Sequence, residues 1–359
     1  MNKTSIAILT LAVATFTANA QTTQRLTAGK LNEYGLIYAL PVTTLDVTVE
    51  AERTVRTPGE FFRYAKKYLG IDPITEKSDT WAIKSVIVTP RGVADENERY
   101  LVQFKSGSTP FMVLDKNDFP LTVNDEDFTL PVAPELPKSR KAEPTILQTA
   151  AASQAVTEDM LRSTSSAKRA ELAAAKIYEL RQSRNDIISG NADQMPSDGA
   201  AMQLALDNID RQEAALTAMF IGTEQTSTTV RTYPVVPGDA QSQRVVAARV
   251  SVTEGPVDVD NLSGMPVYLD ITVTERGTLP RNEKGEEKKF PKGGLAYRIP
   301  GAANVKALVG GQTVWSGNVE IAQYGIVFGL DPSIFSDKKA PAYVIFDSTT
   351  GAIKELGTK

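Results

Sequence analysis

Residues 45–52 read Leu-Asp-Val-Thr-Val-Glu-Ala-Glu, a strict alternation of apolar and polar side chains. Successive side chains of a β-strand point to opposite faces, so this stretch predicts a strand that buries one face and exposes its carboxylates. The same two-residue period returns near the other end of the chain, in residues 266–274. Both halves of the chain are therefore predicted to contain half-buried antiparallel strands.

Further strands are indicated by short apolar runs between turn-forming residues, as in the predicted turn at residues 89–92, Thr-Pro-Arg-Gly. Gly310 and Gly311 predict a tight hairpin, and the charged residues 281–292 predict a solvated loop. These runs lie at 81–88, 100–104, 111–114, 245–252, 295–299, 305–309, 319–323 and 343–346. One short helix is predicted over residues 60–69, after a capping-box spacing at Thr57 and before Gly70.

The middle of the chain has a helical period. Two helices are predicted there, joined by residues 190–199 as an antiparallel hairpin. A loop centred near Asp193 would put Arg184 opposite Met202, too far from Glu213 for the two charges to pair. The apolar or small residues that set the period are Ala170, Ala173, Ile177, Leu180, Ile187, Met202, Leu206, Ile209, Leu216 and Phe220.

These patterns predict an α+β fold with two mainly antiparallel β units and an intervening antiparallel helical hairpin. The predicted divisions are a signal peptide (1–20), an N-terminal β-rich domain with one short helix (21–130), a Pro-rich and Ala/Ser/Thr-rich linker (131–165), the helical hairpin (166–222) and a C-terminal β-rich domain (223–359). Val-Leu-Asp at 113–115 and Ile-Phe-Asp at 345–347 each precede a returning apolar residue at the same spacing, which hints at two duplicated hairpin units.

The first twenty residues have the pattern of a Sec signal peptide: Lys3, an apolar run at residues 6–16, and small residues at Ala18 and Ala20. Cleavage is predicted after Ala20. A lipoprotein anchor requires cysteine, and the chain contains none. No later stretch has the roughly 20 apolar residues of a membrane span. We therefore expect a periplasmic or secreted protein without an integral membrane segment after signal cleavage.

The chain also contains no histidine, which removes the usual ligands of zinc, copper and iron and the commonest general base at neutral pH. We expect no cofactor and no metal. The 39 Lys and Arg nearly balance the 43 Asp and Glu, so the basic patch of a nucleic-acid-binding protein is not indicated. Another envelope protein or a glycan is the expected partner.

Three motifs resemble catalytic or metal sites. Ser165 and Lys168 match the S-x-x-K of penicillin-recognising enzymes, but a helix N-cap explains them better. Residues 258–264 superficially resemble a calcium loop, although Leu262 occupies a ligand position, so a polar turn is favoured. An acidic cluster could supply a carboxylate pair for glycoside hydrolysis, although such turns are usually solvated. Its members are Asp115, Asp118, Asp125, Glu126 and Asp127.

Only two tryptophans are present. Trp81 has Ile83 as its neighbour on one strand face, which predicts a core position. Trp315 lies between Gly311 and Gly317, near the end of the predicted hairpin. Two predictions are possible for Trp315: it is a second core residue, or its indole is exposed and contacts a glycan or a protein partner. We select Trp315 as the candidate contact residue.

Six segments of the chain form a recognisable set, at residues 34–41, 56–59, 62–65, 190–191, 196–199 and 260–268. Together they resemble the exported bacterial family called domain of unknown function 4831, and the resemblance spans about residues 34–356. It implies an exported protein of a Gram-negative bacterium and no particular activity, substrate or catalytic residue.

Two functional hypotheses follow from the sequence. The favoured one is a non-enzymatic interaction or structural module of the cell envelope, because no catalytic side chains converge. The alternative is a carboxylate-dependent hydrolase of envelope or dietary polysaccharide, since Asp and Glu can supply both acid and base once their pKa values are separated.

Overall fold

The computed structural model describes residues 21–26, 35–104, 112–125, 128–129, 134–335 and 342–358. About 46% strand and 24% helix, with antiparallel sheets, confirm the predicted α+β class. The predicted signal peptide, and Glu126 and Asp127 of the acidic cluster, lie outside the described residues. Among the helices of these ranges, none is long and apolar enough to cross a membrane.

The strands are β1 (Gln21–Arg25), β2 (Leu36–Thr57), β3 (Ser78–Phe104), β4 (Met112–Leu114), β5 (Pro120–Val123), β6 (Thr223–Val235), β7 (Ser242–Ser251), β8 (Gly255–Val257), β9 (Met265–Glu275), β10 (Leu295–Val309), β11 (Gln312–Leu330), β12 (Ala342–Phe346) and β13 (Ile353–Thr358). The α-helices are α1 (Ala65–Leu69), α2 (Ala150–Ala155), α3 (Glu158–Arg162), α4 (Ser166–Ser189) and α5 (Gly199–Ile221).

Three antiparallel sheets organise these strands. The first sheet has the order β1-β3-β2-β6, the second β11-β10-β9-β7-β8, and the third β13-β12-β5-β4. The first two sheets share a hydrophobic core. The apolar faces of residues 45–52 and 266–274 are buried in it, so the two-residue period is confirmed. The carboxylates of residues 45–52 are less exposed than expected, because the Asp46 and Glu50 side chains are 18% and 13% exposed and pair with Arg91 and Lys84 of the neighbouring strand.

The predicted turn at residues 89–92 is wrong, because β3 continues through it from Ser78 to Phe104. β1 pairs only with residues 100–104, so β3 has a partner on one side alone at Pro90, where proline is tolerated. Gly92 serves a different purpose. A Cβ atom built on Gly92 would lie 2.2 Å from the carbonyl oxygen of Ser348, so glycine permits a close backbone approach.

β10 likewise joins two segments that the sequence predicted as separate strands, and a register shift between Ile299 and Gly301 marks the join. β10 pairs with β11 through the predicted tight hairpin. Gly310 and Gly311 have φ angles of 57° and 82°, the left-handed region that such a two-residue turn requires. The hairpin prediction is confirmed.

The first predicted helix is shorter than expected. Residues Phe62–Tyr64 form a 3₁₀ turn that leads into α1. Thr57 is the last residue of β2, so the predicted capping box does not form and no side chain caps this helix. Gly70 ends α1 with φ 69°, as predicted.

α4 and α5 correspond to the two predicted long helices, and they share a core with the 3₁₀ turn and α1. Their register differs from the expected one. Arg184 Nε lies 3.2 Å from Asp210 and Arg181 Nε lies 2.6 Å from Glu213, pairs centred on residue 197 rather than near 193. The backbone N–H groups of residues 191 and 192 both bind the carbonyl of residue 186, so the first loop residues fold back onto α4 and move the midpoint towards α5.

The outer edge of β6 is covered by the preceding segment of the chain. Arg140 and Thr228 exchange backbone hydrogen bonds of 2.9 and 2.8 Å, and Ser139 Oγ accepts a bond from Val230 N. Such a cover protects an edge strand from pairing with another chain. The helices α2 and α3 follow within the stretch that the sequence predicts as a linker.

The third sheet consists of two hairpins, β4–β5 and β12–β13, joined by pairing of β5 with β12. Each hairpin turn begins with an aspartate. Asp115 Oδ1 accepts bonds from the backbone N–H of Asn117 and Phe119, and Asp347 Oδ1 accepts bonds from Thr349 and Thr350. The repeated sequence pattern therefore corresponds to two hairpins whose turns each begin with an aspartate, although the turns differ: Asp115 binds the N–H two and four residues on, and Asp347 the N–H two and three residues on.

Candidate functional site

A cavity of about 260 Å³ lies where the three sheets meet. β3 contributes Pro90, β11 contributes residues around Trp315, and the turn between β12 and β13 contributes Asp347. Below we call it the Trp315 cavity. Its lining is Pro90, Trp315, Gly317, Asn318, Val319, Glu320, Asp347, Thr349 and Thr350.

The β12–β13 turn is fastened to the other sheets from several sides. The Thr43 hydroxyl donates to the Thr349 carbonyl at 3.2 Å and accepts from the Ala322 backbone N–H at 2.9 Å. The Arg298 backbone N–H donates to the Gly351 carbonyl at 2.9 Å. These contacts fix one wall of the Trp315 cavity relative to β2, β10 and β11.

The two carboxylates of the cavity differ in their surroundings. Asp347 Oδ1 accepts bonds from Thr349 N at 2.8 Å, Thr350 N at 3.0 Å and the Thr350 hydroxyl at 3.3 Å. That oxygen therefore holds the turn together. The Glu320 side chain belongs to an exposed residue of β11 and is open to solvent.

Trp315 forms the apolar wall of the cavity. It lies three residues into β11 opposite Ala307, so the sequence placed it correctly near the hairpin end. Its indole rests on Gly317, where an added Cβ would lie 2.8 Å from ring atom Cη2 and 3.1 Å from Cζ2. The residue is half-buried against the core between the first two sheets. A flat ring on a glycine, bordering a cavity, can receive a planar or apolar group.

The indole of Trp81 also packs against a glycine, but an arginine side chain lies over it. A Cβ on Gly255 would lie 2.8 Å from two atoms of its ring, and the Arg53 guanidinium lies over the ring, 5.9 Å from the centroid. Asp79 holds that guanidinium through bonds of 2.8 and 2.6 Å, and the bond lowers the pKa of the Asp79 carboxyl. Trp81 packs against the core, as predicted, and its ring is covered by the chain itself.

The other sequence motifs have structural explanations. Ser165 Oγ accepts a bond from Lys168 N and caps α4, while Lys168 Nζ binds Glu171 at 3.0 Å. Residues 258–264 form a polar turn before β9, in which Ser263 N and Oγ both donate to Asn261 Oδ1.

The described part of the acidic cluster is dispersed over local roles. Asp115 holds its hairpin turn, and Asp118 has φ 63° with its carboxylate 3.6 Å from Arg99. Within the described ranges, no three His, Cys, Asp or Glu side chains are grouped so that they could hold a metal ion.

A second cavity of about 440 Å³ lies between the segment that covers β6 and β6 itself. Its charged side chains are of both signs and belong to exposed residues, and its described lining contains no aromatic ring. It therefore lacks the defined apolar wall of the Trp315 cavity. The lining is Arg140, Lys141, Glu143, Pro144, Thr145, Ile146, Glu224, Gln225 and Thr226.

Sequence reasoning singled out Trp315 but missed Glu320 and the contribution of Asp347. Asp347 carried a signal, since it occupies the turn position of the repeated hairpin pattern. Glu320 carried none, because an exposed glutamate on a strand is common.

Residues 34–354 match the model of a family described as "Domain of unknown function (DUF4831)". The match covers nearly all of the chain. No curated protein and no solved structure matches the chain significantly.

Proposed function

The chain belongs to the family of domain of unknown function (DUF4831), and from the chemistry of its side chains we propose that it is an exported, non-catalytic interaction or structural module of the cell envelope. The Trp315 cavity is its contact site for a partner. The observation that carries this proposal is the half-buried indole of Trp315, seated on Gly317 beside a cavity that no side chain of the described residues fills.

The first twenty residues support export to the periplasm or beyond, because a basic start, an apolar run and Ala18 and Ala20 form a cleavable signal. Cleavage after Ala20 would make Gln21 the first residue of the mature chain. N-terminal sequencing of protein from the periplasmic or extracellular fraction tests this step. A chain in the cytoplasm that still begins at Met1 would refute export.

The chemistry of the chain supports a non-catalytic role. Without histidine or cysteine, proton transfer at neutral pH would depend on carboxylates in a water-shielded pocket. The Trp315 cavity offers Glu320, which is exposed, and Asp347, one of whose oxygens already accepts three bonds. A contact role needs none of this chemistry.

The helical part of the module is proposed to be an antiparallel hairpin of α4 and α5. Its support is the order of the two ion pairs, in which Arg181 meets Glu213 and the later Arg184 meets the earlier Asp210. The hairpin packs on α1 and the 3₁₀ turn and would brace the first sheet.

Site-specific photo-crosslinking in cells tests the contact role. A photoreactive amino acid is placed at Glu320, on the rim of the Trp315 cavity, and at Leu262 as a control, because Leu262 is 81% exposed in a remote turn. We expect one defined adduct from position 320, none from position 262, and loss of the adduct when Trp315 is also changed to alanine. An adduct that survives Trp315→Ala, or the absence of any adduct, would reject this site.

The second candidate is a carboxylate-dependent hydrolase of envelope or dietary polysaccharide, favoured by the presence of Glu320 and Asp347 in one cavity. Purified protein is incubated with cell-wall and plant polysaccharides, and new reducing ends are measured. Turnover that disappears in Glu320→Gln, while the fold remains intact, would replace the contact role with this one.

A further inference from the structure

The Trp315 cavity lies along the free edge of β11. Residues 317–320, four in succession, line it. Val319 faces the core between the first two sheets, whereas Asn318 and Glu320 are exposed on the other face of the strand. Successive side chains alternate between the faces, so a cavity that touches both faces borders the edge of the strand. Among the described residues β11 pairs with β10 alone, and the edge at the cavity is therefore the unpaired one.

A hydrogen bond close to the cavity shows which backbone groups point to this edge. The Ala322 N–H donates to the Thr43 hydroxyl at 2.9 Å and therefore points away from β10. In an antiparallel ladder, alternate residues direct their N–H and C=O groups to opposite sides, and residues 317–321 pair with β10 without a shift. The residues that share the direction of Ala322 are Ser316, Asn318 and Glu320.

The pairing across the second sheet gives the same directions. Val273 of β9 donates its backbone N–H to Gln241 at 2.9 Å, on the side of β7. Alternation along β9 and β10 then directs the backbone groups of Val305 towards β11 and those of its partner Gly317 towards β10. Asn318, the next residue, therefore faces away from the sheet.

Two features limit the unpaired edge. At one end, the ladder with β10 shifts between Ala307 and Leu308, a β-bulge that leaves Val314 as the extra residue of β11. At the other end, the Thr43 hydroxyl already occupies the N–H of Ala322. The five residues between these ends span about 17 Å at roughly 3.4 Å per residue. Within the described ranges, no hydrogen bond uses the three outward-facing N–H groups of this stretch.

The covered edge of β6 shows what satisfies such a row of groups. There the segment that contains Arg140 lies beside β6 and exchanges backbone hydrogen bonds with Thr228. β11 has no such cover in the part of the chain that the structure describes. An added strand supplies donors and acceptors at the two-residue spacing of the edge, which a sugar does not reproduce.

Resting on the contact role proposed above, we propose that the Trp315 cavity receives an extended segment of a partner protein, which pairs as an added β-strand with Ser316, Asn318 and Glu320 of β11. The side chains of this segment alternate between the core side of β11, where Trp315 and Val319 lie, and its exposed side. A segment of alternating apolar and polar residues fits both sides.

The charge of the lining selects a basic segment. Glu320 and Asp347 line the cavity, and its described lining includes no lysine and no arginine. A charged residue on an edge strand also resists indiscriminate pairing. A lysine or arginine of the segment opposite Glu320 offsets this resistance, because opposite charges attract across neighbouring strands. The partner is therefore a protein with an exposed, basic segment that forms a strand.

Amide hydrogen exchange of the free protein tests the geometry. The N–H groups of Ser316, Asn318 and Glu320 should exchange at least about tenfold faster than those of Gly317 and Val319, which face β10. Two-dimensional ¹⁵N spectra measure the rates. Equal protection of all five groups would show that the edge is already paired, and the proposal would be rejected.

A synthetic peptide tests the pairing. The probe is a blocked Thr-Val-Lys-Val-Thr peptide, which alternates polar and apolar strand-forming residues. We expect it to shift and protect the amides of Ser316, Asn318 and Glu320 with a millimolar Kd, and to shift the Trp315 indole signal, assigned with Trp315→Phe. The same peptide with N-methylated backbone nitrogens cannot donate to the edge and should leave these signals in place. Glutamate in place of its lysine should weaken binding by roughly two- to fivefold.

A matched pair of variants at one position separates the backbone from the side chain. Asn318→Pro removes the central outward-facing N–H, and proline is tolerated on an edge strand where that group faces away from the ladder. It should reduce binding of the peptide at least about tenfold. Asn318→Ala removes the side chain, with its 3.0 Å bond from Asn304, but keeps the N–H. Its affinity should therefore stay within about twofold of the wild type.

The outcomes separate strand addition from the contact role itself. If the peptide and its N-methylated form shift the signals equally, or Asn318→Pro binds as the wild type does, strand addition is rejected while Trp315 remains a contact. A neutral xylo-oligosaccharide that shifts the Trp315 signal when the peptide does not would lead to the same conclusion. If the peptide does not bind at all, strand addition fails. The contact role fails with it only if the photo-crosslink from position 320 also does not depend on Trp315.

A second copy of the chain is the remaining occupant of this edge. Sedimentation of the purified protein should show a monomer. A dimer that Asn318→Pro abolishes and Asn318→Ala preserves would reject the partner segment, because β11 would then pair with another molecule of the same protein.

Discussion

Each of the two tryptophans of this protein packs its indole against a glycine, but only one of the two rings is covered by another side chain of the described residues. Trp81 lies on Gly255 and Trp315 lies on Gly317, and in both cases a Cβ on the glycine would come within 2.8 Å of the ring. Arg53, held by Asp79, covers Trp81, whereas a cavity borders Trp315. The comparison teaches that a glycine under an indole is a packing device, and that the cover decides whether the ring is available to a partner.

The largest effect is expected from Gly255→Ala. Gly255 has φ 77°, where an L-residue costs about 1–2 kcal/mol, and its new Cβ would collide with a ring that Arg53 covers, for another 1–3 kcal/mol or so. We expect the free energy of unfolding in urea to fall by about 2–5 kcal/mol. Gly311→Ala is the control, because its φ is 82° with nothing within 4 Å, so it should cost only about 1–2 kcal/mol.

Gly317→Ala should be milder, about 1 kcal/mol or less, because Gly317 needs no left-handed backbone and the Trp315 ring can move into the adjoining cavity. The same urea titration measures the loss, and the indole N–H signal of Trp315 should shift while that of Trp81 stays in place. A loss as large as that of Gly255→Ala would mean that Trp315 is as firmly packed as Trp81, and the contrast between them would disappear.

The alternating strands of the first two sheets could be predicted from the sequence, because the alternation of apolar and polar residues is a local property. Residues 45–52 and 266–274 behave as their period predicts. The reading failed at Pro90 and Gly92, since the reason for Gly92 is the carbonyl of Ser348, more than two hundred residues later in the chain. A turn and a close approach use the same residue type, and only the tertiary structure distinguishes them.

Only the local part of the candidate site could be predicted from the sequence. Trp315 could be selected as one of two tryptophans with glycines nearby, because that signal lies within a few residues. Its neighbours in the cavity come from β3 and from the β12–β13 turn, which no sequence spacing connects to β11. The cover of Trp81 could not be predicted either, since Arg53 reaches Trp81 only through the pairing of β2 with β3.

Removing the cover of Trp81 should make the two rings alike in their exposure. Arg53→Ala removes the guanidinium that lies over the Trp81 ring, while Gly255 still lies against the ring. We expect acrylamide to quench the Trp81 fluorescence more efficiently in this variant than with Arg53 present, both measured in a Trp315→Phe background so that Trp81 is the one indole observed. If the quenching of Trp81 is the same with and without Arg53, Arg53 is not an effective cover.

The smallest effect concerns the carboxylate that holds the cover. The hydrogen bond from Arg53 lowers the pKa of Asp79 below its ordinary 3.8, so the folded state binds this proton less readily than the unfolded chain. The resulting stabilisation is present above the ordinary pKa and is lost as the pH falls below about 4 towards the lowered value. Carboxyl ¹³C titration should show the pKa of Asp79 rising towards 3.8 in Arg53→Ala. Asp270, whose pKa Arg244 lowers in the same way, supplies the reference within the same spectrum and should not change. An Asp79 titration that is identical in both proteins would show that Arg53 is not held by this carboxylate, and the cover of Trp81 would then need another explanation.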